Sequence, residues 1–124
     1  MVIVSFDEIE QYRALLADNA AAQRSLDVIS DCEGDLEDAA ISLALRVGQE
    51  PTESERWLDG FAKRWRVQLC SSALRTLLID GAFPDALDTL VAETSIPISL
   101  AVPMLLYVHK MGLEEFCKPL EEKL

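Results

Sequence analysis

The feature that most constrains this chain is an aromatic repeat, Trp57, Phe61 and Trp65, in which a large ring recurs at every fourth residue. Residues four apart lie on the same face of an α-helix, so the repeat predicts one helix with an aromatic face. Just upstream, Thr52 and Glu55 have the spacing of a capping box, which places the start of that helix. Burying these rings would remove a large block of apolar surface from water, so we expect this helix to be central to the fold.

The same segment is basic in an acidic chain. Residues 56–75 contain five basic residues and one acidic residue, a net charge of +4, whereas the chain of 124 residues has a net charge of −11. On the predicted helix, Arg56, Lys63 and Arg66 fall on one side and Arg64 lies nearby, which predicts a basic stripe opposite the aromatic face. Two interpretations remain open. The stripe balances the acidic helices beside it, or it binds an acidic protein partner.

Helical spacing extends along most of the chain, and no run alternates over several residues as a strand does. Ser5 and Glu8 form a second capping box, Asp35 is a candidate N-cap, and Asp59 precedes Lys63 by four residues, as in an intrahelical ion pair. The predicted helices are one that follows Ser5 and ends near Ala17 to Asn19, then Ala20 to Ile29, Leu36 to Val47, Thr52 to Leu78 with a break near Cys70 to Ser72, Pro84 to Glu93, Leu100 to Met111, and Leu113 to Leu124.

One of these helices, Leu100 to Met111, is apolar nearly all round. Such a helix is typically buried in the middle of a domain. Ser99 is the predicted N-cap, which would put Pro103 near the first turn, where a missing amide is tolerated. The sequence therefore predicts an all-α fold, a single compact orthogonal bundle of about seven helices, with residues 1–124 forming one domain.

The acidic balance limits the classes of partner. A negative surface repels phosphates, so we expect no nucleic-acid binding and no docking on an anionic membrane. The first ten residues include acids and lack a basic region, so no signal peptide is predicted. The longest uncharged run, Thr94 to Val108, has 15 residues, fewer than the ~20 of a spanning helix. We expect a cytoplasmic protein.

The three cysteines, Cys32, Cys70 and Cys117, are widely spaced and form no Cys-x-x-Cys pair. We expect reduced and mostly buried thiols, with Cys70 inert on an apolar face, and neither a disulfide nor a zinc site. His109 is the only histidine, and no Glu-x-x-His motif or glycine-rich phosphate loop occurs. We predict no catalytic residue, no metal and no cofactor.

Four alternating acids, Asp31, Glu33, Asp35 and Glu37, suggest a calcium loop at first sight. The EF-hand pattern fails, because Leu36 stands where that loop needs glycine and Ser42 where it needs glutamate. Capping and solvation of helix ends explain these acids better.

The resulting hypothesis is a non-catalytic protein-interaction or regulatory module. It would bind an acidic protein partner through the basic stripe, or self-associate through an apolar groove. One alternative is a small apolar ligand inside the bundle, in a pocket lined by Met104, Tyr107 and Met111. Another is a small enzyme that uses His109 with a carboxylate. A third is a nucleic-acid mimic, with the carboxylates of residues 1–55 spread over one surface. The residues assigned to partner binding are Arg56, Lys63, Arg64 and Arg66.

Overall fold

The computed structural model describes residues 2–48 and 57–122, and within these ranges it contains nine α-helices and no strand. The predicted all-α bundle is confirmed, whereas the predicted number of about seven helices is wrong. The helices are α1 (Phe6–Leu15), α2 (Ala20–Asp31), α3 (Leu36–Arg46), α4 (Trp57–Arg64), α5 (Arg66–Leu69), α6 (Ser72–Ile79), α7 (Phe83–Glu93), α8 (Ile98–Met111) and α9 (Leu113–Glu122).

The centre of the bundle is α8, which contacts α2, α3, α4, α7 and α9. All nine residues from Leu100 to Val108 are buried, as the all-round apolar pattern predicts. The helix begins earlier than expected, at Ile98, with Pro97 as N-cap and no side-chain capping bond. The prediction of Ser99 as N-cap is therefore wrong.

This earlier start places Pro103 inside α8 as its sixth residue. Proline has no amide hydrogen, so it cannot donate to the carbonyl four residues before it, that of Ser99. The hydroxyl of Ser25, a fully buried residue of α2, donates to this Ser99 carbonyl oxygen at 2.9 Å. A side chain of α2 thus supplies the hydrogen bond that the proline cannot make, and it joins α2 to the central helix.

Two of the predicted helix starts are confirmed. The Ser5 hydroxyl accepts a hydrogen bond from the Glu8 amide, and the Glu8 carboxylate accepts one from the Ser5 amide. Asp35 accepts hydrogen bonds from the amides of Glu37 and Asp38 at the start of α3. The predicted capping box of residues 52 and 55 lies outside the described residues.

The aromatic segment is broken into three helices. The first, α4, ends at Arg64, and α6 begins at Ser72 with Ser71 as its N-cap. The predicted break near residues 70 to 72 is confirmed. A second break at Trp65, which lies between α4 and α5, was not predicted. Because of that break, the basic side chains do not lie along one continuous helix.

A disulfide joins Cys70, after α5, to Cys117 in α9, with the two Cα atoms 5.7 Å apart. The prediction of reduced thiols is therefore wrong for this pair, and the Cys70 thiol is not the inert group we expected. The two cysteines are 47 residues apart in sequence, so only the packing of α9 on α5 brings them together. Cys32 is a free thiol. Within the described ranges, each helix is too short or too polar to cross a lipid bilayer.

Candidate functional site

We call the region around the junction of α4 and α5 the α4–α5 corner and define it by Trp57, Phe61, Arg64, Trp65 and Val67. The Trp57 and Phe61 rings are stacked, with centroids 5.0 Å apart and planes inclined by 15°. Phe61 is buried, whereas both tryptophans are only half-buried against the core. Val67 is 65% exposed. The aromatic face therefore lies partly at the boundary between core and solvent.

Lys63 is engaged by a buried carboxylate within the protein. Its ammonium group lies 2.8 Å from Oδ2 of Asp59, which confirms the predicted intrahelical pair. Asp59 is only 6% exposed, and its Oδ1 accepts a hydrogen bond from the Tyr107 hydroxyl of α8. The Lys63 charge thus compensates a carboxylate at the edge of the core. Tyr107 is 48 residues away from Asp59, and no local pattern in the sequence links the two.

Arg66 packs between helices. It is half-buried, and its guanidinium carbon lies 4.9 Å from the centroid of the Phe116 ring in α9. Its Nε is buried and has no hydrogen-bond partner in the described part of the chain. Cys117 follows Phe116, so this cation–π contact and the disulfide hold the same region of α9 against α5.

Arg64 differs from both of these residues. Its side chain is exposed, and its guanidinium carbon lies 5.9 Å from the centroid of the Phe61 ring. Arg64 makes no ion pair with any carboxylate of the described ranges. Of the described residues assigned to partner binding, Arg64 is thus the one whose side chain is exposed and has no counter-ion among the described carboxylates. Arg56 lies outside the described residues.

Glu37 has a structural role that the acidic pattern did not reveal. Its Oε2 accepts a hydrogen bond from the amide of Leu58, in the first turn of α4, at 2.9 Å. Partial burial raises the pKa of the Glu37 carboxyl, and its hydrogen bonds with the backbone of Leu58 and Asp59 oppose this rise. The carboxylate of α3 therefore binds the N-terminal end of α4, where a helix has amides without intrahelical acceptors.

His109 makes no hydrogen bond or ion pair with a carboxylate of the described ranges. Its ring makes an edge contact with the Phe83 ring, with centroids 5.1 Å apart, and the residue is exposed. Lys110, the next residue in the chain, forms an ion pair with Glu8 at 2.7 Å. No group of three or more His, Cys, Asp or Glu residues within the described ranges is arranged to hold a metal ion. A general acid or base needs an orienting partner, and none is found for His109 among the described residues.

The three residues proposed to line an interior pocket differ in exposure. Met104 and Tyr107 are buried, whereas Met111 is 41% exposed. An apolar gap beside α8, between Leu16 and Phe83, has a volume of about 10 Å³, no more than one water molecule needs.

Comparison of the chain with known protein families, curated proteins and solved structures found no match. A functional conclusion must therefore come from the geometry of the molecule.

Proposed function

We propose that this chain is a non-catalytic protein-interaction module whose α4–α5 corner binds an acidic segment of a partner protein. The observation that carries the proposal is the exposed guanidinium of Arg64. The chain has 22 acidic and 11 basic residues, and yet this group pairs with none of the described carboxylates. An acidic partner would supply the counter-ion that the described residues do not.

The surroundings of Arg64 favour a protein partner over a simple anion. Val67 is exposed, Trp57 and Trp65 are half-buried, and Phe61 lies beneath the guanidinium. Arginine and tryptophan are the residues most often found as anchors in protein interfaces. The expected binding partner is an acidic segment with at least one apolar side chain, which would cover Val67 while a carboxylate reaches Arg64.

The four predicted binding residues have different roles in this arrangement. Lys63 and Arg66 have partners within the fold, Asp59 and the Phe116 ring, so we assign them to the support of the corner. Arg64 is the principal contact, and Arg56 remains a predicted contributor.

The test compares wild-type protein with Arg64→Glu and with a matched control, Arg24→Glu, in affinity isolation from the native cell. Arg24 is also exposed, but it belongs to α2. We expect a partner that is retained by wild-type and Arg24→Glu protein and lost with Arg64→Glu. With the purified partner, the affinity should fall by about tenfold or more in Arg64→Glu, and it should weaken as salt is added.

Intrinsic fluorescence gives a direct readout, because the only two tryptophans of the chain lie in the corner. Binding at the corner should change the emission of Trp57 or Trp65. Equal retention of every partner by Arg64→Glu and wild-type protein would reject the proposal. A dimer that dissociates in Arg64→Glu would identify a second copy of this acidic chain as the partner.

We further propose that the module acts in the cytoplasm, as the sequence led us to expect. Disulfides persist in oxidising compartments and are usually reduced or transient in the cytosol. The Cys70–Cys117 bond therefore makes the location testable by alkylation of thiols in intact cells. A mostly alkylated pair supports a cytoplasmic location, and a fully protected pair contradicts it.

A further inference from the structure

A second surface, away from the residues of the α4–α5 corner, has the features of a small-molecule site. A cavity of about 440 Å³ opens between α2, α3 and the start of α8. Among the described residues, its lining includes two arginines and two serines but no acidic residue, although acidic residues outnumber basic ones by two to one in this chain. The lining residues are Ala21, Arg24, Ser25, Leu43, Arg46, Val47, Pro97, Ile98 and Ser99.

The positive charge of this cavity has no counter-ion among the described residues. Arg24, on α2, and Arg46, at the end of α3, are both exposed, and neither pairs with a described carboxylate. Two guanidinium groups at one opening repel each other unless an anion lies between them. Their planar donor arrays match the oxygens of a carboxylate or a phosphate.

The cavity wall also contains donors without acceptors. The amides of Ile98 and Ser99, the first two residues of α8, make no backbone hydrogen bond with the described residues, and Pro97 offers no side-chain cap. The Ser99 hydroxyl oxygen is buried and has no hydrogen-bond partner in the same ranges. Buried polar groups are normally satisfied by protein, water or ligand. The helix dipole of α8 adds to the preference for an anion.

The rest of the lining is apolar and suits a hydrocarbon group. It is formed by Ala21, Leu43, Val47, Pro97 and Ile98. We propose that this cavity binds a small organic anion, with a carboxylate or phosphate head between the two arginines and a short apolar chain along the remaining wall. This proposal is independent of the partner proposed for the α4–α5 corner.

The test uses four probes, which are octanoate, octyl phosphate, octanol and acetate, with binding measured by calorimetry and by amide chemical shifts. Octanoate or octyl phosphate should bind, and the stronger of the two identifies the head group. Octanol lacks the charge and acetate lacks the chain, so each should bind at least about tenfold more weakly. The shifts should map to Ile98, Ser99 and the ends of α2 and α3.

The variant Arg24→Ala/Arg46→Ala should lower the affinity for the stronger probe by about tenfold or more, and the matched control Arg64→Ala should leave it unchanged. Both arginines of the cavity are exposed, so the double variant should keep the wild-type circular dichroism and melting profile. Four results would each overturn the proposal. They are equal binding of octanol and octanoate, an unaltered affinity in the double variant, chemical-shift changes that map elsewhere, and no binding at millimolar concentration. Retention of the protein partner by the double variant would separate this site from the α4–α5 corner.

Discussion

The hydroxyl of Tyr107 in α8 donates a hydrogen bond of 2.5 Å to Oδ1 of Asp59 in α4, and both residues are at least nine-tenths buried. The second carboxylate oxygen of Asp59 faces the ammonium group of Lys63. A buried carboxylate is tolerated only when its oxygens have donors, because burial removes the water that would solvate the charge. The link therefore holds the helix of the α4–α5 corner in a fixed position on the central helix.

We expect Tyr107→Phe to lower the free energy of unfolding by about 1–3 kcal/mol, because it removes a donor from a buried carboxylate. Urea denaturation at neutral pH measures this change. Tyr12→Phe is the matched control, since Tyr12 is also buried but its hydroxyl makes no hydrogen bond with a described residue. Equal stability of the two variants would show that the Tyr107 hydrogen bond contributes nothing.

Charge reversal at two neighbouring positions of α4, Lys63 and Arg64, should change the free energy of unfolding by different amounts. Lys63→Glu places a second carboxylate beside buried Asp59, and we expect it to lower the free energy of unfolding by roughly 1–3 kcal/mol. Arg64→Glu removes only an exposed charge above an aromatic ring, so its effect on stability should stay within about 0.5 kcal/mol. Thermal and urea unfolding of the two variants, measured together, test the assignment of Lys63 to the fold and Arg64 to the surface.

Local features of the fold could be predicted from the sequence because they depend on neighbours along the chain. The Ser5 capping box, the Asp35 N-cap and the break before Ser72 each follow from residues within four positions of one another. The burial of Leu100–Val108 follows from the composition of a single helix.

Non-local features could not be predicted in this way. The Cys70–Cys117 disulfide and the Tyr107–Asp59 hydrogen bond join residues 47 and 48 positions apart. The packing of α9 on α5 brings the first pair together, and the packing of α4 on α8 brings the second. The basic stripe was predicted as one surface because the residues were placed on one helix. The break at Trp65 turns Arg66 toward Phe116 instead, and helical periodicity carries no signal for such a break.

The disulfide should make a large contribution to stability. In the chain-entropy account, a cross-link that closes a loop of 47 residues contributes about 4 kcal/mol by restricting the unfolded chain. We expect reduction, or the variant Cys70→Ser/Cys117→Ser, to lower the free energy of unfolding by up to that amount. Cys32→Ser should remain as sensitive to reductant as wild-type protein, whereas the double variant should be insensitive. Identical melting of wild-type protein with and without reductant would contradict a bond that stabilises α9.

The ionisation of Glu37 should make part of the stability depend on pH. Burial raises the pKa of Glu37 above its ordinary value of 4.5. The folded state therefore binds the Glu37 proton more tightly than the unfolded state does. The contribution of protonated Glu37 to stability is fully present below pH 4.5. That contribution is lost as the pH rises through the folded pKa. As the pH rises from 4 to 7, the stability of Glu37→Gln should therefore increase relative to that of wild-type protein.

Glu8 provides a control of opposite sign for that measurement. The hydrogen bond from Lys110, with help from the Ser5 amide, lowers the pKa of the Glu8 carboxyl. Its contribution to stability is therefore present above pH 4.5 and is lost as the pH falls through the folded pKa. Over the same pH range, the stability of Glu8→Gln should decrease relative to that of wild-type protein as the pH rises. Parallel pH profiles for the Glu37 and Glu8 variants would contradict both assignments.

The hydrogen bond from Ser25 to the Ser99 carbonyl predicts a coupling between two residues that are far apart in sequence. Ser25→Ala removes this donor, and Pro103 has no amide hydrogen to replace it. We expect the variant to lower the free energy of unfolding by about 1–3 kcal/mol. Pro103→Ala restores an amide four residues after Ser99, so it should recover part of this loss in the Ser25→Ala background. In wild-type protein, where Ser25 already donates to the carbonyl, the same substitution should stabilise the fold less. A double-mutant cycle measures the difference. Purely additive effects of the two substitutions would mean that the serine does not replace the missing amide of the proline.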